Sequence, residues 1–339
     1  MKNVRVSVEE VFDLVFRCIR NNDCDHENSS AIAEVVTAAE RDGCRSHGLF
    51  RVPGYVTSLR NRKVNGCARP SICQNSASVT TIDGYRGYAP LALKVGLRRA
   101  LEGAKEQPIS ALCITNCFHY GPLWFELEQA AEAGFVVFGF LPSAAQVAPA
   151  GSTRPFLGTD PMGFGWPRTD GDPMIIDQST AVKARGDIMI AAEQGKSLPF
   201  GVGLDRGGAP TTDPHSILNG GVQLPFGGYK GTSLGIMTEL LGSALLGSDF
   251  GFEARDKDNR DGGPTLGGEL LLLLNPGYFN ELNCFNKRCE IFFSTLSAKP
   301  GVRLPGDRRR LARKKSLQHG IQISSQLVEK IRKLSTATS

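Results

Sequence analysis

A chain of 339 residues, 41% hydrophobic and 22% charged, is long enough to bury a substantial core and is neither disordered nor fibrous in composition. Its formal net charge of +5 is mild for this length; it suits anionic small molecules and does not demand nucleic acid. The longest apolar runs, such as Leu270 to Leu274, are too short to span a bilayer, and Glu9 and Glu10 interrupt any secretory pattern, so no membrane partner and a cytoplasmic location are expected.

Ser7-Val8-Glu9-Glu10 reads as a capping box, in which the Ser7 and Glu10 side chains satisfy each other's orphan amides. Behind it Val8, Val11, Phe12, Val15 and Ile19 recur at helical spacing, predicting an amphipathic helix that ends near Asn22. A second helix is expected over about 27–42, with Ile32, Val35, Val36 and Ala39 on one face. A third starts at Val52-Pro53, since proline is tolerated in a first turn. From Ala77 strands and helices alternate: SVTTIDGY as strand and turn, ALKVGLRRALEGA as helix, ISALCIT as buried strand, PLWFELEQAAEAG as helix, FVVFGFL as buried strand. Residues 142–170, rich in Pro, Gly, Ser and Thr, read as one long structured loop lining a site. MIID reads as a short strand, KGTSLGIMTELLGSALLG as a small-residue helix and ELLLLLN as a buried strand. Residues 279–296 and Ser325 to Leu334 read as helical. The alternation argues an α/β core, organised as a helical portion over 1–75, a central α/β region over 76–300 and a basic segment over 301–339.

Two nucleotide motifs fail on inspection. GVGLDRGG (201–208) misplaces the third glycine of a dinucleotide fingerprint and has no helix after it, while Gln194-Gly195-Lys196-Ser197 has isoleucine at 190 where a Walker loop needs glycine. A nicotinamide cofactor would therefore bind without a Rossmann phosphate turn. Cys113 and Cys117 with His119 lack the second pair that tetrahedral zinc needs, so no metal is expected. The nine cysteines, odd in number and irregular in spacing, fit reduced thiols.

The informative stretch is Arg41-Asp42-Gly43-Cys44-Arg45-Ser46-His47-Gly48-Leu49-Phe50-Arg51. His47 lies in a turn between two helices, where it can point into a cleft, and Arg51 follows at the spacing of one helical turn. Histidine suits proton exchange near neutral pH, and arginine suits a bidentate grip on a carboxylate. Together they form half of a site for a small 2-keto, 2-hydroxy or 2-imino acid. Taken alone, such a histidine is more often part of a surface turn.

RDGCRSHGLFRVPGY (41–55), NCFHYGPLW (116–124), VAPAGSTRPFLGTDPMGFGWP (147–167), QLPFGGYKG (223–231) and RLPGDRR (303–309) occur in order. Together they make the chain, over roughly residues 5–334, resemble the malate/L-lactate dehydrogenase-like oxidoreductases. Leu123-Trp124, Ala184-Arg185-Gly186-Asp187 and the run LPFGVGLDRGGAPTTDP are similar to the branch that reduces Δ1-piperideine-2-carboxylate and Δ1-pyrroline-2-carboxylate. The resemblance implies a non-Rossmann α/β fold in which a central sheet domain holds the cofactor and the last segment returns to the helical N-terminal portion. It implies a Ser46, His47 and Asp187 relay with His47 as proton donor, so that no metal is required, and a carboxylate grip by Arg51 and Thr159. For the cofactor it implies His119, Tyr120, Gly121, Pro122, Leu123, Asp177, Gln178, Ser179, Arg185, Lys230, Arg303, Leu304, Pro305, Gly306, Asp307, Arg308 and Arg309. The arginines favour NADPH, with NADH as the alternative. A cyclic imino acid as substrate and a homodimer as assembly are also implied.

Plainer readings stand beside these. His119 next to Tyr120 reads alone as a satisfied turn histidine, Asp187 as a helix N-cap, and Arg308 to Arg310 with Lys314 and Lys315 as a solvated helix face. The same His47 and Arg51 would also serve a 2-hydroxy-acid dehydrogenase acting on malate, lactate or ureidoglycolate. A nucleic-acid module is disfavoured because the basic tail 303–315 has no aromatic residue. Asp160 stands where the family commonly has asparagine, Tyr120 and Pro122 replace plainer residues, and 280–293 matches poorly.

Overall fold

A computed structural model describes residues 3–74, 76–259, 263 and 266–336. The chain opens with a strand, β1 (Asn3–Val6), and the helices α1 (Val8–Arg20), α2 (His26–Arg41) and α3 (Val52–Arg60). The capping box at Ser7 forms: its Oγ accepts the Glu10 amide at 3.1 Å, and the Glu10 carboxylate accepts the Ser7 amide at 2.6 Å. There follow β2 (Ser71–Gln74), β3 (Val79–Tyr88), α4 (Ala89–Ala104), β4 (Ile109–Phe118), α5 (Trp124–Glu132), β5 (Val136–Phe140), β6 (Met162–Trp166) and β7 (Met174–Gln178). After α6 (Arg185–Glu193) come the short β8 (Gly203–Leu204), β9 (Pro210–Thr211), α7 (Pro214–Leu218) and β10 (Val222–Gln223). The chain closes with α8 (Tyr229–Gly242), α9 (Gly251–Asp256), β11 (Gly267–Leu274), α10 (Leu282–Ser297), α11 (Asp307–His319), β12 (Ile321–Ser324) and α12 (Ser325–Thr336).

Among the described residues, seven strands form the main sheet in the order β2-β3-β4-β11-β5-β6-β7, and only β3 and β4 run parallel. A doubly wound dinucleotide fold needs a mostly parallel sheet, so this α/β topology is non-Rossmann in its strand directions as well as in its loops. Ile82, Leu112, Ile114, Leu271 and Leu273 of the sheet pack on Leu97 of α4 and Trp124 and Leu127 of α5. A second core gathers Val11, Val15 and Ile19 of α1, Ile32 and Val36 of α2, and Tyr55 of α3. It is completed by Ile321 and Ile323 of β12, Val328 and Ile331 of α12, and Tyr88 and Phe118 from the sheet.

Several expectations change. The segment 142–170 is not all loop, because Met162–Trp166 pairs with both β5 and β7. Its glycines hide the strand in the sequence, yet they let α5 close: a Cβ at Gly163 would lie 2.2 Å from Leu127 Cδ1. SVTTIDGY continues as a strand to Tyr88, with a register shift between Asp83 and Gly87. The pairing of β1 with β12 has no counterpart in the sequence reading. GVGLDRGG forms the β8–β9 hairpin, where Asp205 Oδ1 accepts the Gly207 amide at 2.8 Å, which accounts for the glycines without a phosphate. Arg308, Lys314 and Lys315 of α11 face solvent, but Arg309, Arg310 and Arg313 turn inward. Among the described residues no helix is long and apolar enough to cross a membrane.

Candidate active site

Two short 3-10 turns, Arg45–His47 and Leu49–Arg51, connect α2 to α3 and set Ser46, His47 and Arg51 on one side of the joint. Ser46 Oγ faces His47 Nδ1 at 3.4 Å, and Arg51 Nε donates to the Ser46 carbonyl at 2.7 Å. From α2 the buried Glu40 accepts the Leu49 amide at 2.9 Å, fixing the second turn, while burial pushes its carboxyl up. The start of α6 lies directly against this group: a Cβ at Gly186 would sit 2.8 Å from Ser46 Cβ and 3.3 Å from Arg51 Nη2. Burial, reinforced by the Arg51 charge, pushes His47 down to about 3, so its imidazole is neutral at physiological pH.

Asp187 stands in the first turn of α6, exposed to solvent. It is not the N-cap; Ala184 is, and a carboxylate one turn inside suits the helix dipole instead. Among the described residues Asp187 makes no side-chain hydrogen bond to Ser46 or His47. Its charge acts on Arg51, favouring the cation against a burial that pulls the other way.

His119, in a left-handed backbone conformation at φ 53°, is buried. Its Nε2 shares a 2.7 Å hydrogen bond with Ser58 of α3, and its ring stacks on Tyr55 at 4.5 Å. Burial, then Arg51 and Lys63, push it down to about 3. Its side chain is thus a satisfied one joining α3 to the end of β4. Leu123 is likewise buried in the sheet core, so backbone is what the 119–123 loop presents.

The Trp124 amide donates to Asp177 Oδ2 at the end of β7, at 3.0 Å, and the Arg309 guanidinium of α11 lies 5.1 Å from the centre of the Trp124 ring. Burial pushes Asp177 up, against the pull of the Trp124 amide and Arg309. Arg309 Nε is buried without a hydrogen-bond partner among the described residues. Glu126 and Glu269 are buried behind this loop: burial and then Asp177 push Glu269 up to about 8, and burial and then Glu269 push Glu126 up. Tyr120 is tied down by its hydroxyl, which donates to the Gly267 carbonyl at 2.9 Å.

On the other side of β7, Ser179 Oγ and the Thr180 amide both donate to the Thr159 carbonyl at 2.9 Å. Thr159 N donates to Ser143 Oγ at 2.9 Å, and the two hydroxyls lie 3.2 Å apart. The turn opening α8 docks beside Thr180 through the Phe226 amide, which donates to the Thr180 carbonyl at 3.0 Å; Lys230 follows in the first turn of α8, exposed. Arg185 is desolvated and, with Arg255 nearby, is pushed down to about 10; it forms no ion pair among the described residues. Asp307 serves its own turn, accepting the Leu304 amide at 3.0 Å and pairing with Arg310 at 3.1 Å. Arg303, Pro305, Arg308 and Gln178 are exposed and, among the described residues, make no hydrogen bond to the Asp177–Trp124–Arg309 group.

Residues 6–332 match the family described as malate/L-lactate dehydrogenase. The chain belongs to that family. It is 40% identical to a Δ1-pyrroline-2-carboxylate reductase of Ancylobacter novellus, over 98% of this chain and 97% of that one. It is 36% identical to a Δ1-pyrroline-2-carboxylate/Δ1-piperideine-2-carboxylate reductase of Pseudomonas aeruginosa, over 96% and 97% of the two chains. The crystal structure of Δ1-piperideine-2-carboxylate reductase from Pseudomonas syringae superposes with a TM-score of 0.92 at 37% identity, covering 98% of this chain and 99% of that one. A malate dehydrogenase of Entamoeba histolytica shares the fold at a TM-score of 0.92 and 22% identity.

Glu40, Ser143, Gly186, Glu126 and Glu269 are the contributors that sequence reasoning missed. Ser143, Gly186 and Glu269 lie far in sequence from the groups they support, while Glu40 and Glu126 lie close by but give no local sign that the one caps the next turn and the other is buried.

Proposed function

We propose that this protein is an NAD(P)H-dependent reductase of cyclic imino acids, taking Δ1-pyrroline-2-carboxylate to L-proline and Δ1-piperideine-2-carboxylate to L-pipecolate. The observation that carries the reading is full-length similarity to such reductases, combined with an intact Ser46–His47–Arg51 group closed by the start of α6. The nicotinamide cofactor, when bound, supplies hydride to C2 of the ring. Cations near the site fit its phosphates: among the described residues, Arg309 Nε has no hydrogen-bond partner and the desolvated Arg185 has no anion beside it. Arg309, with Arg303 and Arg308, favours NADPH over NADH.

Arg51 is anchored through Nε to the Ser46 carbonyl, leaving its other N–H groups for the substrate carboxylate, with the Thr159 hydroxyl as second contact. Ser46 occupies the Nδ1 side of His47, so Nε2 is the atom left to face the imine nitrogen. His47 is neutral in the free site, and part of what keeps it so is the Arg51 charge. A carboxylate docked on Arg51 offsets that charge, so substrate binding itself strengthens the hold of His47 on the proton that the ring nitrogen needs. Asp187 supports this arrangement through Arg51. The protein is further read as a cytoplasmic homodimer; exposed Tyr229, Ile236 and Leu240 along α8 offer an apolar face for a second copy.

The test is oxidation of NADPH, and of NADH in parallel, with both imino acids beside pyruvate and oxaloacetate. Turnover of the imino acids, lost in His47→Ala, is expected. Preferential turnover of the keto acids would make the protein a 2-hydroxy-acid dehydrogenase.

A further inference from the structure

Asp160 is fully buried at the turn into β6, with φ at 37°. Its Oδ1 accepts the Ser143 amide at 3.1 Å, and the Gly158 amide also points at the carboxyl. Among the described residues its buried Oδ2 has no hydrogen-bond partner, and it faces α8, where a Cβ at Gly235 would lie 3.5 Å away. From α8 comes a second acid, Glu239, also buried, which takes the Gly251 amide at 3.1 and 3.0 Å and the Ser243 hydroxyl at 3.4 Å. The Gly158 amide points at Glu239 as well. Two carboxyl groups therefore share the Gly158 amide in a buried pocket, and the Asp160 Oδ2 has no donor of its own among the described residues.

The geometry points to Asp160 as a carboxylic acid that keeps its proton and shares it with Glu239, and so as a positioning residue that holds the Ser143–Thr159 clamp in shape for the substrate carboxylate. Glu239 has the richer set of donors, so the proton belongs on Asp160, at the orphaned Oδ2. Burial, and then Glu239, push Asp160 well above the carboxylate range, in keeping with this. The other groups facing the pair fit too. Glu253 of α9 adds negative charge beside Glu239, Arg255 turns to the Ala145 carbonyl at 3.2 Å, and the Thr180 hydroxyl donates to the Thr159 carbonyl at 3.2 Å. Loss of the proton sets two buried anions against each other. Ser143, held by Asp160 through its amide and holding Thr159 through its hydroxyl, is the first residue to move.

The clamp's role toward substrate rests on the proposed reductase function, but the shared proton does not, and the test separates them. Melting temperature is followed from about pH 5 to about pH 9 in wild type, Asp160→Asn and Glu239→Gln, with KM for Δ1-pyrroline-2-carboxylate and kcat measured alongside. A carboxyl held above its unfolded value stabilises fully below about pH 4 and loses that contribution as pH rises toward the folded value. Wild type is thus expected to fall progressively below Asp160→Asn as pH increases, and Glu239→Gln to show the same flattening. KM of the wild type should rise roughly tenfold at the alkaline end, with kcat nearly unchanged, and Asp160→Asn should abolish that rise. Parallel melting profiles for wild type and both variants overturn the shared proton. Diverging melting profiles with parallel KM profiles overturn the positioning role. Absence of imine turnover defeats the reductase reading, while the melting profiles still decide the pair.

Discussion

Replacing Gly186 by alanine puts a methyl group where α6 meets the active-site turn. The added carbon would lie 2.8 Å from Ser46 Cβ and 3.3 Å from Arg51 Nη2. Carbon atoms pack at about 3.5–4.0 Å, so α6 or the turn must yield by roughly 1 Å. Overpacking of this kind costs about 1–3 kcal/mol, and the better helix propensity of alanine returns up to about 1 kcal/mol, leaving a net loss of about 0–3 kcal/mol. The melting temperature should fall by only a few degrees. Activity should fall much further, since a 1 Å displacement of a positioning group can cost about a hundredfold. Steady-state kinetics should show KM for the imino acid rising with kcat/KM down about ten- to a hundredfold. Thermal unfolding of Gly186→Ala combined with Ser46→Gly should recover the lost stability, because the colliding Cβ is gone. An unchanged KM in Gly186→Ala would refute the idea that α6 fixes the position of Arg51.

Arg313 of α11 bridges the buried Asp42 and Glu128, each at 2.5 Å, so Arg313→Ala should destabilise by about 3–5 kcal/mol in denaturant titrations, and a loss under about 1 kcal/mol would contradict the bridge. Both His47 and His119 are pushed down to about 3 by burial, so their contribution to stability is present above about pH 6.5 and lost as pH falls toward 3. Melting curves should therefore drop between about pH 6.5 and 4, with a shallower slope in His119→Gln; equal slopes would count against it. Arg51 lowers both histidines, so in Arg51→Ala their NMR titrations should move to higher pH, and KM for the imino acid should rise about ten- to a hundredfold. Unmoved titrations would show that Arg51 is not the charge they sense.

Elements governed by local pattern were legible in advance. The capping box, the apolar stripe of α1, and the apolar runs of β4, β5 and β11 each state their structure within a few residues. β6 was hidden because its inward positions are glycines selected by the approach of α5, a tertiary constraint that no local pattern carries. β1 was hidden because its partner lies at the far end of the chain. At the site, His47 and Arg51 were legible from residue chemistry and spacing and Ser46 only from the resemblance, and the structure gathers the three. What could not be read was burial. His119, read alone as a satisfied turn histidine, gave no sign that it is buried against Tyr55, and Asp187, implied by the resemblance as part of a relay with His47, makes no side-chain hydrogen bond to it among the described residues and acts on Arg51. Glu126, Glu239 and Glu269 look like ordinary helix or strand charges in sequence, and only the surrounding sheet and helices make them buried acids.

The antiparallel pairing of β1 with β12 also sets an order of events during synthesis. Every strand of the main sheet lies between residues 71 and 274, so that sheet can complete its pairing while the tail is still emerging. The helical unit bearing His47 completes its core only when Ile321, Ile323, Val328 and Ile331 arrive, because they are buried together with the core residues of α1, α2 and α3. The residues read as reactive are therefore held in an unfinished unit until the last segment is made, and the longest-range contacts in the chain are the ones that complete it.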